Sequence, residues 1–250
     1  MNSAPIKPHI IIPMAGRGSR TQDGWPETPK MLIPVSPGLD ILDLALAFLP
    51  RRSLAAVTLV FIILREHEAR LDLSARLRSR WPAAQIHIVP AVLPGQLATT
   101  LEYLTSDQGA PARAAPVLVH NCDTLVRFDL SAALAGLDSA ACRVVCAGSH
   151  DPALCYAEAT AAGRITALLE KTGRITPHAS TGTYLFATGQ MLIEAGAQAI
   201  SDQPDAAEHF ISSAINGLIA RSDPVTLHPA AGFTPLGTTQ QIRDYQEHLR

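Results

Sequence analysis

His9-Ile10-Ile11-Ile12-Pro13-Met14-Ala15-Gly16-Arg17-Gly18-Ser19-Arg20 is the stretch that decides how this chain is read. An apolar, β-branched run of strand length passes straight into a glycine-rich loop. Glycines let the backbone turn successive N–H groups toward one point, which is how proteins hold phosphate. Arg20 adds fixed positive charge, and Pro29-Lys30 adds a second cation just before the apolar run Met31-Leu32-Ile33-Pro34-Val35. The place reads as a site for a nucleoside triphosphate.

Other phosphate loops fit less well. A Walker A loop needs Gly-x-x-x-x-Gly-Lys-Ser/Thr, and the sequence contains none. A dinucleotide fingerprint needs a third glycine where Thr21 stands, and no apolar helical pattern follows. An ordinary glycine-rich turn would explain Gly16-x-Gly18 alone, but not the Arg20 and Pro29-Lys30 that accompany it.

Working outward, short β-branched runs alternate with longer helical stretches. Strands are expected at His9–Met14, Val57–Leu64, Gln85–Ala91, Pro116–Asn121 and Arg143–Gly148. Between them the pattern predicts helices over Asp40–Leu49, Glu66–Arg80, Gln96–Leu104 and Asp129–Leu137. Such alternation implies βαβ units and a largely parallel sheet buried on both faces. Ligands in these sheets sit beyond the carboxyl ends of the strands, where the glycine loop and Asp123 both fall. Past residue 148 the texture changes: strands Tyr156–Thr160 and Arg164–Glu170 flank the turn Ala161-Ala162-Gly163. A strand at Thr183–Ala187, a helix at Ala206–Ala220, a strand at Val225–His228 and a helix at Thr239–Leu249 complete the reading. One domain over residues 1–250 is expected, with a nucleotide-binding part to about 148 and an acceptor-binding part from 149.

Composition narrows the classes. At 250 residues and 47% hydrophobic, the chain can bury one large core. A formal charge of -2 gives no support for nucleic-acid binding. The longest apolar runs, such as Val57 to Leu64, fall far short of a membrane span. The start of the chain lacks the pattern of a secretory leader, so a soluble cytoplasmic protein is expected. The four cysteines, Cys122, Cys142, Cys146 and Cys155, have no zinc spacing and read as reduced thiols. None of the nine histidines has a partner spacing that suggests catalysis.

Three further places offer chemistry. Asn121-Cys122-Asp123 closes an apolar strand, and a carboxylate beside a phosphate loop can hold Mg²⁺, which takes few ligands from protein. A turn or helix-cap aspartate is the competing reading. Glu170-Lys171 follows the run Ile165–Leu169 and alone would pass for a solvated surface pair. Leu93-Pro94-Gly95-Gln96 starts a helix, and a plain helix start explains Gln96 equally well.

Pro13-Met14-Ala15-Gly16-Arg17-Gly18-Ser19-Arg20 followed by Thr28-Pro29-Lys30-Met31-Leu32-Ile33-Pro34-Val35 resembles the two-part signature of the sugar-phosphate nucleotidyltransferases, of the nucleoside-diphosphate-sugar pyrophosphorylase type. The resemblance implies a Rossmann-like three-layer α/β/α sandwich with a mixed, mainly parallel central sheet. It also implies an enzyme that couples a nucleoside triphosphate to a sugar 1-phosphate and releases pyrophosphate, for nucleotide-sugar or surface-polysaccharide synthesis. Met14, Ala15, Gly16, Arg17, Gly18 and Ser19 would then cradle the triphosphate, with Arg20 on the leaving pyrophosphate and Lys30 toward the α-phosphate. Asp123 would bind Mg²⁺, as in the family's Gly-Asp or Cys-Asp pair, and Asn121 would lie on the nucleotide side. Gly95 and Gln96 match the helix start that faces the nucleobase. Glu170-Lys171 resembles the family's Glu-Lys-Pro, with Glu170 on sugar hydroxyls and Lys171 on the sugar phosphate. Ser180-Thr181-Gly182-Thr183-Tyr184 resembles the strand bordering the acceptor, which makes Thr181 and Gly182 acceptor residues.

Departures gather in the second half. Thr172 replaces the family's proline, and Ala157 stands where a sugar-facing glycine is common. Phe233-Thr234-Pro235-Leu236-Gly237-Thr238 resembles Trp-x-Asp-x-Gly-Thr but puts Pro235 where a second metal-binding aspartate is often found. Two alternatives therefore stay open: a cytidylyltransferase for phosphocholine or another small phosphorylated compound, and a non-catalytic nucleotide-sugar binder. The expected partners are a nucleoside triphosphate and a phosphorylated small-molecule acceptor, without nucleic acid or membrane. A homo-oligomer is compatible with the sequence.

Overall fold

The structure is a computed structural model and describes residues 6–249. Strand β1 (His9–Pro13) leads through the glycine loop to a short antiparallel ribbon, β2 (Pro34–Ser36) and β3 (Leu39–Asp40), and then to α1 (Ile41–Ala45). There follow β4 (Thr58–Leu64), α2 (Arg65–Leu71), α3 (Leu73–Arg80), β5 (Gln85–Val89) and α4 (Gly95–Thr105). Next come β6 (Val117–His120), β7 (Thr124–Arg127), α5 (Leu130–Ala135) and β8 (Cys142–Ala147). The second half adds β9 (Tyr156–Ala159), β10 (Ile165–Leu169), β11 (Ala179–Phe186), α6 (Gly189–Asp202) and α7 (Ile211–Ala220). It ends with β12 (Val225–Pro229), β13 (Gly232–Pro235) and α8 (Thr239–His248).

The central sheet runs β5-β4-β1-β6-β11-β8-β12, and β9 and β10 extend it from the start of β11. The pairs β4–β5, β1–β4, β1–β6 and β8–β12 are parallel, while β11 is antiparallel to both β6 and β8. The sheet is therefore mixed and mainly parallel, and it draws strands from both halves of the chain.

Its two faces follow from the alternation of side chains along each strand. Ile11, Val60 and Ile62 point into a cluster with Leu97 and Leu101 of α4, Leu192 of α6 and Ile215 of α7. Ile10, Ile12, Leu59 and Phe61 point the other way, against Leu42 of α1, Leu77 of α3 and Leu130 of α5. Three layers result, as the resemblance implied. A smaller cluster, with Ile33, Val35, Ile41, Leu236 and Ile242, joins the β2–β3 ribbon to α8.

The differences from the sequence reading are local. The helix expected over Glu66–Arg80 is broken at Asp72, whose φ of 47° interrupts the helical backbone. Asp40–Leu49 yields only the short α1, and Ala206–Ala220 becomes helical at Ile211. Helix α6 lies where no element was expected. Its two interior-facing glycines are sites of close approach: a Cβ on Gly189 would lie 2.5 Å from the Ala112 carbonyl, and one on Gly196 2.9 Å from Leu97 and Leu101. The two-stranded β7–β13 ribbon also lay outside the sequence reading. All four cysteines are free thiols, three of them buried.

Candidate active site

Strands β1 and β6 are parallel neighbours, so their carboxyl ends bring the glycine loop and Asp123 to one place. Met14 and Ala15 are buried, and the Met14 N–H still extends the ladder to the Ile62 carbonyl (2.9 Å). Beyond them the loop turns outward. Gly18 adopts φ 66° and packs where a Cβ would lie 3.4 Å from Lys30 Cβ. Thr21 closes the turn, its hydroxyl donating to the Gly18 carbonyl (2.9 Å). Among the described residues, no protein group accepts a hydrogen bond from the backbone N–H groups of Ala15 to Arg20. A run of free donors at a strand end is the chemistry expected of a phosphate cradle.

Lys30 lies in a single 3₁₀ turn, Lys30–Leu32, after Pro29. Its Nζ is 2.5 Å from Asp123 Oδ2, and the two side chains are 16% and 13% exposed. Burial alone would raise the Asp123 pKa, but the Lys30 charge and hydrogen bond, then Arg20, hold it below the usual carboxylate range. Burial likewise opposes the Lys30 charge, and Asp123 overrides it and raises the lysine. Both groups are thus ionised at neutral pH. A methyl on Gly237 would lie 3.4 Å from Asp123 Oδ2 and 3.6 Å from Arg20 Nη2, so the chain leaving β13 runs directly past these charges.

Pro235 is paired with Thr124 in the β13–β7 ladder, and the Leu236 N–H donates to the Asp123 carbonyl (2.8 Å). Pro235, which departs from the signature that this stretch resembles, therefore does lie beside Asp123. Among the described residues no group of three His, Cys, Asp or Glu side chains could hold a metal. Asp123 is the carboxylate here that could hold a Mg²⁺, an ion that commonly takes only one or two ligands from protein.

His120, which no sequence spacing singles out, anchors the turn that carries Asp123. Fully buried, its imidazole donates from Nε2 to the Thr124 carbonyl (3.1 Å) and accepts at Nδ1 from the Thr183 hydroxyl (2.8 Å). Burial lowers its pKa to about 4, so it is neutral in this role. The available signal was a polar residue inside an apolar strand, three positions before Asp123. Burial next to Asp123 pushes the neighbouring Cys122 thiol up to about 12, which makes it a poor nucleophile at neutral pH.

On the other flank, Gln96 Nε2 donates to Asn121 Oδ1 (2.8 Å), and the Asn121 N–H donates to the Gly182 carbonyl (3.1 Å). Gly182 has φ 72°, and a Cβ there would lie 2.1 Å from Asn121 Nδ2, so only glycine fits. It lies at an irregularity in the β11–β8 register between Ser180 and Thr183. Thr181 is buried, and its hydroxyl donates to the Val145 carbonyl (3.0 Å), so its side chain faces the core instead of a ligand. Gly95 has φ 95°; its N–H is bonded to the Leu93 carbonyl (2.8 Å), and the His209 backbone packs against its Cα.

Glu170 and Lys171 leave β10 toward the segment before α7. Ser212 Oγ donates to Glu170 Oε2 (2.8 Å). Lys171 has φ 50°; its Nζ is 3.0 Å from Glu208 Oε2 and 4.3 Å from the centre of the Phe210 ring. His209 in turn accepts from the Leu97 N–H (3.1 Å) and donates to the Pro94 carbonyl (2.9 Å). Gly95, Glu170 and Lys171 thus all border the one segment, residues 208–212.

The architecture is a three-layer α/β fold that solved structures share. The nucleoside-diphosphate-sugar pyrophosphorylase of Vibrio cholerae RC9 matches with a TM-score of 0.78 at 19% identity, over 95% of this chain and 99% of that one. A Bacillus anthracis protein assigned as a glucose-1-phosphate thymidylyltransferase matches with a TM-score of 0.76 at 18% identity, over 97% and 95% of the two chains. The inositol-1-phosphate CTP transferase of T. maritima matches with a TM-score of 0.69 at 12% identity, over 97% and 96%. No protein-family model and no curated protein matches the sequence. At these identities the likeness establishes the fold, which is the one the sequence signature implied. Among the described residues no helix is long and apolar enough to cross a membrane.

Proposed function

We propose that the protein is a nucleotidyltransferase that couples a nucleoside triphosphate to a sugar 1-phosphate and releases pyrophosphate. The observation that carries this is the free N–H run of Ala15 to Arg20 meeting Lys30 and Asp123 at the ends of two neighbouring strands. The similar structures support it, since one is named for a nucleoside-diphosphate sugar and the other two for transfer involving glucose 1-phosphate and inositol 1-phosphate.

In this reading an oxygen of the acceptor phosphate attacks the α-phosphorus in line. The bond from that phosphorus to the α–β bridging oxygen breaks, and pyrophosphate departs with the electron pair. Such a step needs positioning and charge neutralisation more than proton transfer. The loop backbone from Met14 to Ser19 holds the triphosphate, Arg20 offsets charge on the pyrophosphate, and Lys30 faces the α-phosphate. Asp123 would hold Mg²⁺, which when bound neutralises phosphate charge. Gln96 and Asn121 lie on the nucleotide side, and Glu170 and Lys171 receive the acceptor's hydroxyls and phosphate.

The acceptor side favours a hydroxyl-bearing compound over phosphocholine. A quaternary ammonium is recognised by open aromatic faces. Here Tyr156 and Tyr184 are 0% and 5% exposed, and Lys171 already covers the Phe210 ring. A second reading, a nucleotide-sugar binder without catalysis, is favoured by Pro235 beside Asp123. Four free thiols accord with a reducing, cytoplasmic setting.

The test is pyrophosphate release with Mg²⁺, each nucleoside triphosphate being run against sugar 1-phosphates and small phosphorylated alcohols. Release with one pair, lost in Asp123→Ala, supports the transferase. Nucleotide binding without release from any pair would refute it in favour of the binder.

A further inference from the structure

β10 lies at the end of the sheet, with β9 as its strand partner, so one edge of its backbone needs other partners. Helix α7 provides them. Asn216 Oδ1 accepts from the Leu168 N–H (2.8 Å), and Asn216 Nδ2 donates to the Leu168 carbonyl (2.9 Å). One side-chain amide thus satisfies both backbone groups of a single strand residue, as a neighbouring strand would. One turn earlier on the same helix, Ser212 donates to Glu170, two residues on from Leu168 and just past the end of β10. The spacings agree: four helical residues rise about 6 Å, and two strand residues span about 6.6 Å. α7 therefore runs antiparallel alongside β10 and is fastened to it at two points.

We propose that Ser212 and Asn216 form a clamp that sets Glu170 and Lys171 for the acceptor, with Ser212 a positioning residue that acts through Glu170. The proposal rests on the transferase reading above. Asn216 fixes the strand at Leu168, and Ser212, 1% exposed, orients the carboxylate. Lys171 then follows with its left-handed backbone, and the Glu208 carboxylate and Phe210 ring hold its ammonium. The phosphate-binding groups lie on the loop after β1 and the turn after β6. Gly95 and Gln96 open α4, and the bonds of Ser212 and Asn216 go to Glu170 and Leu168 instead, so the clamp bears first on the acceptor.

Steady-state kinetics of Ser212→Ala, Glu170→Gln and the double variant test this, using the nucleotide and acceptor identified by pyrophosphate release. Hydrogen bonds to charged groups are strong enough that Ser212→Ala should raise the acceptor KM about tenfold. The nucleotide KM should stay within about twofold, which also serves as the folding control. Because Ser212 acts through Glu170, the double variant should be no worse than Glu170→Gln alone. Additive losses in the double variant, or a parallel rise in both KM values, would overturn the clamp. An unchanged acceptor KM in Ser212→Ala would overturn it while leaving the transferase standing. A wild-type protein that turns over no pair would overturn both.

Discussion

Replacing Lys30 by methionine tests the centre of the site, because one change touches both folding and chemistry. The methionine keeps most of the chain's length and apolar contact and removes only the charge. Asp123, 13% exposed, then loses the partner 2.5 Å away. Breaking a buried ion pair from one side costs about 3–5 kcal/mol, and Arg20 beyond Gly237 holds the loss near the lower end, about 3 kcal/mol. In a domain of this size that lowers Tm by about 6–12 °C. Turnover should fall about 10²–10³-fold, as when one donor to transition-state charge is removed. Thermal unfolding and pyrophosphate release read the two effects separately. The double variant Lys30→Met/Asp123→Leu, which removes both charges, should regain most of the lost Tm and none of the lost turnover. Turnover of Lys30→Met within about threefold of wild type would refute the role given to Lys30. Recovery of turnover in the double variant would refute that of Asp123.

Gly182→Ala, which forces a Cβ to 2.1 Å from Asn121 Nδ2 at φ 72°, should cost at least about 2 kcal/mol and weaken nucleotide binding; calorimetry and thermal unfolding check this. His120 has its pKa lowered by burial to about 4, below the unfolded value, so its contribution is complete above about pH 6.5 and is lost as pH falls toward 4. Urea unfolding across that window should show a shallower acid limb in His120→Asn than in wild type. Burial holds the Cys142, Cys146 and Cys155 thiols well above their usual range, and Cys122 near 12. At pH 8 the native protein should therefore give no fast-reacting thiol with a disulfide reagent, and the unfolded chain four. Pro235→Asp would set a second carboxylate beside Asp123, so Mn²⁺ binding to the nucleotide-free protein, read by electron paramagnetic resonance, should tighten at least several-fold.

How much of this was legible depended on what each part asks of the chain. The front half asks for backbone geometry, and backbone geometry leaves fixed residue types behind. Gly18 at positive φ, Pro29 ahead of Lys30 and an aspartate after an apolar strand each announce themselves, and the parallel β1–β6 pair brings them together. The sheet was legible for the same reason, since β1, β4 and β6 are runs that only a doubly covered sheet buries. Helix α6 was not, because Gly189 and Gly196 read as helix weakeners when viewed along the sequence. In space they are the points where α6 comes closest to its neighbours. The break at Asp72 was hidden for the opposite reason: charged residues on both sides keep the helical pattern intact through a left-handed residue.

The acceptor half hides its logic in tertiary contacts. Glu170 and Lys171 resembled a family motif, yet what orients them lies some forty residues later, in Ser212, Asn216 and Glu208. These polar residues look like the wet side of an amphipathic helix, and only the open edge of β10 turns Ser212 and Asn216 inward. His120 was hidden in part in the same way: a polar residue inside an apolar strand can be seen, but not that it reaches sideways to Thr183. Short motifs in a sequence thus mark where a ligand is gripped by backbone. Where side chains from distant elements do the gripping, the motif gives the residue that touches the ligand and not the ones that aim it. That asymmetry is why the reaction is better specified here than the acceptor, and why the Ser212–Glu170 cycle, more than any substitution in the glycine loop, would show how the acceptor is chosen.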